Sequence, residues 1–164
     1  MAIKDKATCL LTASILPKDI RASLNGRNSF TPESDNYKWL YTDKTSTSSS
    51  AVVFTTSMTY LGTTTSLSIT GDKVLWIAIK HTGTTNGVTK TSDGVVISID
   101  AGTAAYNLAD GTFINSGELF VGKFLNTTAN QFTSTSVNVV GGLPTGAGNG
   151  DVQLQIAAIM QDVA

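Results

Sequence analysis

Apolar and polar residues alternate with a period of two through most of this 164-residue chain, and turn-forming residues separate the alternating runs. That period puts every second side chain on one face of an extended strand, whereas an amphipathic helix needs a period of about 3.6, and no sustained run of that kind occurs. The pattern predicts about nine strands. Cys9, Leu11, Ala13 and Ile15 share one face of the first, Tyr37, Trp39 and Tyr41 one face of the second, and Val52, Phe54, Met58 and Tyr60 line a third. Leu67 and Ile69 mark a short fourth, after which Gly71-Asp72 turns the chain into residues 73–81. Val95, Ile97 and Ile99, then Leu119, Val121 and Leu125, then a brief strand at Val137 and Val139, and finally Val152, Leu154, Ile156, Ala158 and Met160 complete the set. Residues 17–24 are the one helical candidate, because Pro17 suits a first turn and Asn25-Gly26 a C-terminal cap. Residues 101–110 read as loop, and the Ser/Thr tract 42–50 reads as a long connection between strands.

Many short strands with no intervening linker predict an all-β fold: one antiparallel β-sandwich domain over residues 1–164, jelly-roll-like, with at most one short helix. Residues 73–81 carry the sharpest detail. Leu75, Ile77 and Ile79 alternate with Val74, Trp76 and Ala78, so both faces are apolar. A strand greasy on both sides is covered on both sides, which predicts a central strand whose outer flank meets a loop or another subunit. Val74, Trp76 and Ala78 are therefore the candidate subunit interface. At the start of the chain, Lys4 and Lys6 ahead of residues 7–16 imitate a secretory leader, but no small-residue cleavage pattern precedes Pro17, and the segment reads as a first strand. No apolar run approaches the roughly 18 residues of a membrane-spanning helix, so no membrane partner is predicted.

Composition narrows the chemistry. Ser and Thr together number 41, of which 25 are the β-branched Thr, a residue suited to pleated strands. Charged residues make up only 14% of the chain and the net charge is -1. An ordinary soluble domain carries about 25% charged residues, so hydroxyls and amides do the solvating here. Without a basic run there is no electrostatic reason to expect a nucleic-acid partner. Cys9 stands alone and reads as a buried thiol behaving as a small hydrophobe.

A nucleophile triad would have to use His81, the sole imidazole, but no G-x-S-x-G occurs, and Ser116 within Asn115-Ser116-Gly117-Glu118 reads as a turn. One His and one Cys do not make a zinc ligand set. Asp72, Asp93, Asp100, Asp110 and Asp151 lie beside or near glycines, where side-chain capping of turns places them. The expectation is a non-enzyme, with no catalytic residue, no cofactor and no metal. Tyr37, Trp39 and Tyr41 are the best candidate platform for a glycan or a protein partner, since aromatic faces on a sheet stack on sugars and anchor interfaces. The opposing reading makes them a core face.

The stretch Val74-Leu75-Trp76-Ile77-Ala78-Ile79-Lys80-His81-Thr82-Gly83, the short strand around Val95, Ile97 and Ile99, and the entry Gly117-Glu118-Leu119-Phe120-Val121 resemble small β-sandwich virion proteins of tailed bacteriophages. The resemblance covers residues 74–124 and departs at His81, where such patterns often carry Asn. It implies a virion structural protein, a capsid decoration (cement) protein in the first instance, made in the host cytoplasm and located in the virion. Its implied partners are the major capsid protein or other virion proteins and further copies of itself, with a trimer favoured. The resemblance carries over no binding residue. Two other roles stay open: a carbohydrate-binding or receptor-binding module using the three rings, and a tail-tube or head-completion subunit with the 42–50 tract as its loop.

Overall fold

A chain built of short alternating runs satisfies its backbone N–H and C=O groups only by pairing across the sequence, so the pairings define the architecture. The structure, a computed structural model, describes residues 6–15, 22–31, 37–55, 71–99 and 111–161. Among these run eleven strands: β1 (Ala7–Ile15), β2 (Ala22–Phe30), β3 (Tyr37–Ser46), β4 (Ala51–Val52), β5 (Lys73–His81), β6 (Gly94–Ser98), β7 (Thr112–Ile114), β8 (Leu119–Thr128), β9 (Thr133–Val140), β10 (Leu143–Ala147) and β11 (Val152–Gln161). A single 3-10 turn, Ala129–Gln131, is the only helical element among the described residues.

All the pairings are antiparallel, and they are nested. β6 pairs with β7, β5 with β8, β4 with β9 and β3 with β11. Rolling one long hairpin with β6 and β7 at its tip drops successive pairs alternately into two sheets. The result is the order β3-β11-β5-β8 in one sheet and β4-β9-β6-β7 in the other. This is the jelly-roll winding. Two additions flank it: β10 pairs with the same β9 that β4 pairs with, and β1 and β2 form a separate two-stranded hairpin.

The core lies between the two sheets. Leu40 of β3, Ile77 and Ile79 of β5 and Leu154, Ile156 and Ala158 of β11 meet Val95 and Ile97 of β6, Ile114 of β7, and Phe54 and Phe132. Phe54 and Phe124 both pack edge-on against Phe132, with ring centroids 5.6 and 5.3 Å away, the arrangement the aromatic quadrupole favours. β5 is central, as its two-sided apolar pattern predicts, but its faces are not the ones that strict alternation assigns. Its register shifts against β8 between Val74 and Trp76 and against β11 between Ile159 and Met160. The bulge reverses the alternation: Val74 joins Ile77 and Ile79 in the core, while Trp76 and Ala78 belong to the outer cluster. The expected common face of Val74, Trp76 and Ala78 is thus divided by one inserted residue.

Several elements differ from the sequence pattern. The helix expected over 17–24 is replaced, in its described part, by β2, and Asn25-Gly26 falls mid-strand instead of at a cap. Ser and Asn favour side-chain bonds that compete with a helix and Gly weakens one, whereas nine pairs with β1 satisfy the same backbone. The tract 42–50 is only partly a connection, because β3 continues through Ser46 opposite Val152. Of the strand expected at Val52, Phe54, Met58 and Tyr60, only Ala51–Val52 is extended within 51–55. Met58, Tyr60, Leu67, Ile69 and the loop 101–110 lie outside the described residues.

β9 is eight residues long instead of brief, and β10 emerges from the Gly-rich tract after it. Gly141 and Gly142 have φ of 61° and 83°, the left-handed pair that a two-residue hairpin turn requires. Hydroxyls hide β9 from a hydrophobicity scan. Ser134 and Ser136 stand opposite Ile97 and Val95, on the core-facing side, and both are buried.

Candidate interaction surface

Residues directly opposite in an antiparallel sheet share a face, so the register of β3-β11-β5-β8 lays out its outer surface in rows. The first row is Trp39, Ile159, Trp76 and Lys123; the second is Tyr41, Ala157, Ala78 and Val121; the third is Asp43, Gln155, Lys80 and Leu119. The hairpin β1–β2 covers the first. Ala7, Trp76 and Ile159 are buried together, with Cys9, Phe30, Tyr37 and Trp39 packed against them. Trp76 Nε1 donates to Asn28 Oδ1 at 3.0 Å, which fixes β2 over the sheet. Trp39 meets Trp76 edge-on at 6.4 Å and Phe30 meets Tyr37 at 6.0 Å.

The predicted residues therefore fall as follows. Tyr37, Trp39 and Tyr41 do share one face, and it is the outer one, since Leu40 between them points to the core. Tyr37 and Trp39 are half-buried beneath the hairpin, and only Tyr41, 47% exposed, is open. The three rings do not form a free platform. Trp76 is buried, Ala78 is half-buried at the hairpin's margin, and Val74 is in the core. The cover predicted for this flank is supplied, over Trp76, by the chain's own hairpin. Sequence reasoning missed Asn28 and Phe30 because it placed no strand on β2. The alternation of Leu24, Gly26, Asn28 and Phe30 was the available signal, weakened by the Gly and Asn.

The hairpin uses only part of its own apolar face. Pairing sets Ala7 against Phe30, Cys9 against Asn28 and Leu11 against Gly26, so these residues share the side that rests on the sheet. Ala7, Cys9 and Phe30 are engaged there, but farther out Leu11 and Leu24 are 43% and 62% exposed. Leu11, Thr12, Leu24, Asn25 and Gly26 line an open recess, and a Cβ placed on Gly26 would meet no atom within 4 Å. On the opposite side Leu10 is 79% exposed beside Arg27. A two-stranded hairpin is marginal in water by itself, so this arm holds its shape through its seat on Trp76.

The sole histidine works elsewhere and structurally. His81 is buried at the end of β5, and burial holds its imidazole below the ordinary value despite the raising influence of Asp93 and Glu118. The Gly83 N–H donates to Nδ1 at 2.9 Å, so Nε2 carries the proton and donates to the Asp93 carbonyl at 2.8 Å. Asp93 Oδ2 accepts from the Asn149 and Gly150 N–H groups at 2.7 and 2.9 Å. Both side chains clamp backbone at the junction of β5, β6 and the turn before β11. Among the described residues no three His, Cys, Asp or Glu side chains gather as a metal site. No family model, curated protein or solved structure matches the chain.

Proposed function

We propose that this chain is a virion structural protein, a capsid decoration subunit that binds the shell as a homo-oligomer. The observation that carries the reading is the hairpin arm: a marginal two-stranded element whose apolar face is engaged at its base and open at Leu11 and Leu24. Leu10, Leu11 and Leu24 exposed on one small ribbon are out of place on a solitary molecule and in place on a building block. The jelly roll behind it is an architecture used in viral shells, and also in lectins, so the fold alone does not choose the role. Cementing would work by summing many modest contacts, each copy bridging neighbours in the shell. The glycan-binding alternative has less to stand on, because Tyr37 and Trp39 are half-buried beneath the hairpin, each in edge-on contact with a neighbouring ring.

The test is quantitative mass spectrometry of purified particles of the virus that encodes the chain, together with cosedimentation of the recombinant protein with its shells. The expected result is a copy number comparable with that of the major shell protein and saturable binding. Absence from the particles overturns the reading.

A further inference from the structure

We propose that the distal half of the β1–β2 arm of one copy seats on the second row of the four-stranded sheet of another copy, with Tyr41 of the receiving copy entering the recess at Gly26. The inference rests on the assembly reading and gives it a contact. The base of the arm already shows what its apolar face binds, namely the outer surface of this same sheet. The distal half continues that face, with Leu11 and Leu24 open, and the sheet continues too, with Tyr41, Ala157, Ala78 and Val121 beside the covered row. Ala78, Val121 and Ala157 pack at the margin of the cluster under the hairpin, so an arriving arm extends an existing interface.

Shape agrees. Gly26 stands opposite Leu11 and leaves a notch between two leucines, while Tyr41 is an exposed ring in a row whose inner members are two alanines, low enough for a ribbon to approach. A tyrosine in an apolar notch buries its ring and keeps its hydroxyl at the rim. Charge does not choose the contact: exposed Arg27 flanks the notch, while exposed Asp43, Lys80 and Lys123 flank the receiving row, each two residues from Tyr41, Ala78 or Val121. Arm and seat are different surfaces of one chain, so the contact is head-to-tail and builds a ring where its rotation closes and an open chain where it does not.

Sedimentation velocity on the full chain, as wild type, Gly26→Glu and Tyr41→Glu, tests the contact. Gly26 has open space around it and Tyr41 is exposed, so both variants should keep the fold, checked by unchanged amide exchange in β5 and β11. The wild type is expected to self-associate, and each variant to do so at least roughly 30-fold more weakly, the scale of losing one anchoring ring. Mixing the two variants supplies one intact arm and one intact seat, so a dimer should reappear in the mixture alone. Variants that associate like the wild type, a mixture that stays monomeric, or a monomeric wild type overturn the arm contact. None of these outcomes bears on whether the chain is found in particles, which decides the assembly role separately.

Discussion

The two faces of the four-stranded sheet bury apolar side chains by different means. Its inner face is closed by a second sheet whose strands are wound into the same roll, and Ile77, Ile79, Leu154 and Ile156 lose all contact with water. Its outer face is closed by a ribbon of two strands, which buries Trp76 and Ile159 but leaves Ala78, Val121 and Ala157 half-covered and Tyr41 open. The difference is one of connectivity. The inner contact cannot open without unwinding nested strand pairs, whereas the outer one rests on a hairpin that pairs with no other strand among the described residues. The first opens only with the roll, whereas the second can open locally.

Three measurements break or sharpen that contrast. The largest effect is expected at Phe132, fully buried between Phe54 and Phe124. Phe132→Ala should lower global stability by about 3–5 kcal/mol in urea denaturation, through lost transfer energy plus the cavity left behind. A loss under about 1 kcal/mol would mean that the inner face is not the stabilising one.

Trp76→Ala comes next, at about 2–3 kcal/mol for the buried ring. Its signature is local: amide exchange in β1 and β2 should accelerate far more than in β6 and β9. Uniform acceleration would show that the arm and the roll unfold as one unit.

The smallest effect is with pH, and it belongs to the roll alone. The unfolded chain protonates His81 near its ordinary value of 6.5, whereas burial holds the folded value lower. Between those values the unfolded chain binds more protons, so the stability from neutral His81 is complete above 6.5 and is lost as the pH falls toward the folded value. The denaturation midpoint should fall on going from about pH 8 to about pH 5, and His81→Gln should flatten that part of the profile. The described part of the arm, residues 6–15 and 22–31, contains no His, Asp or Glu, so its exchange relative to the roll should not follow the same titration.

Much of the roll was legible in the sequence wherever one side of a strand is apolar and the other is not. The inward side of β11 shows this, with Val152, Leu154, Ile156, Ala158 and Met160 all buried on alternate positions, although Ile159 on its outer side is buried as well. β9 was nearly invisible because Ser134 and Ser136 occupy the positions where a scan looks for Val or Ile. Ser136 is accommodated there by donating from Oγ to the Gly150 carbonyl at 2.7 Å. β2 was misread since its local preferences are weak in every direction and only pairing with β1 decides among them. In the candidate surface, the outward placement of Trp76 was legible, but its partner Asn28 lies 48 positions away, a separation that no periodicity encodes.

By itself the sequence determined the class of structure. A period of two, a wealth of Thr and a scarcity of titratable side chains permit strands around an apolar interior and little else. Tertiary structure alone decided the nested order of the strands, the bulge that sends Val74 inward and Trp76 outward, and the half-engaged arm. The reason is that alternation fixes which side chains share a face of one strand, whereas the choice of partner strand and the position of an inserted residue depend on contacts between distant segments.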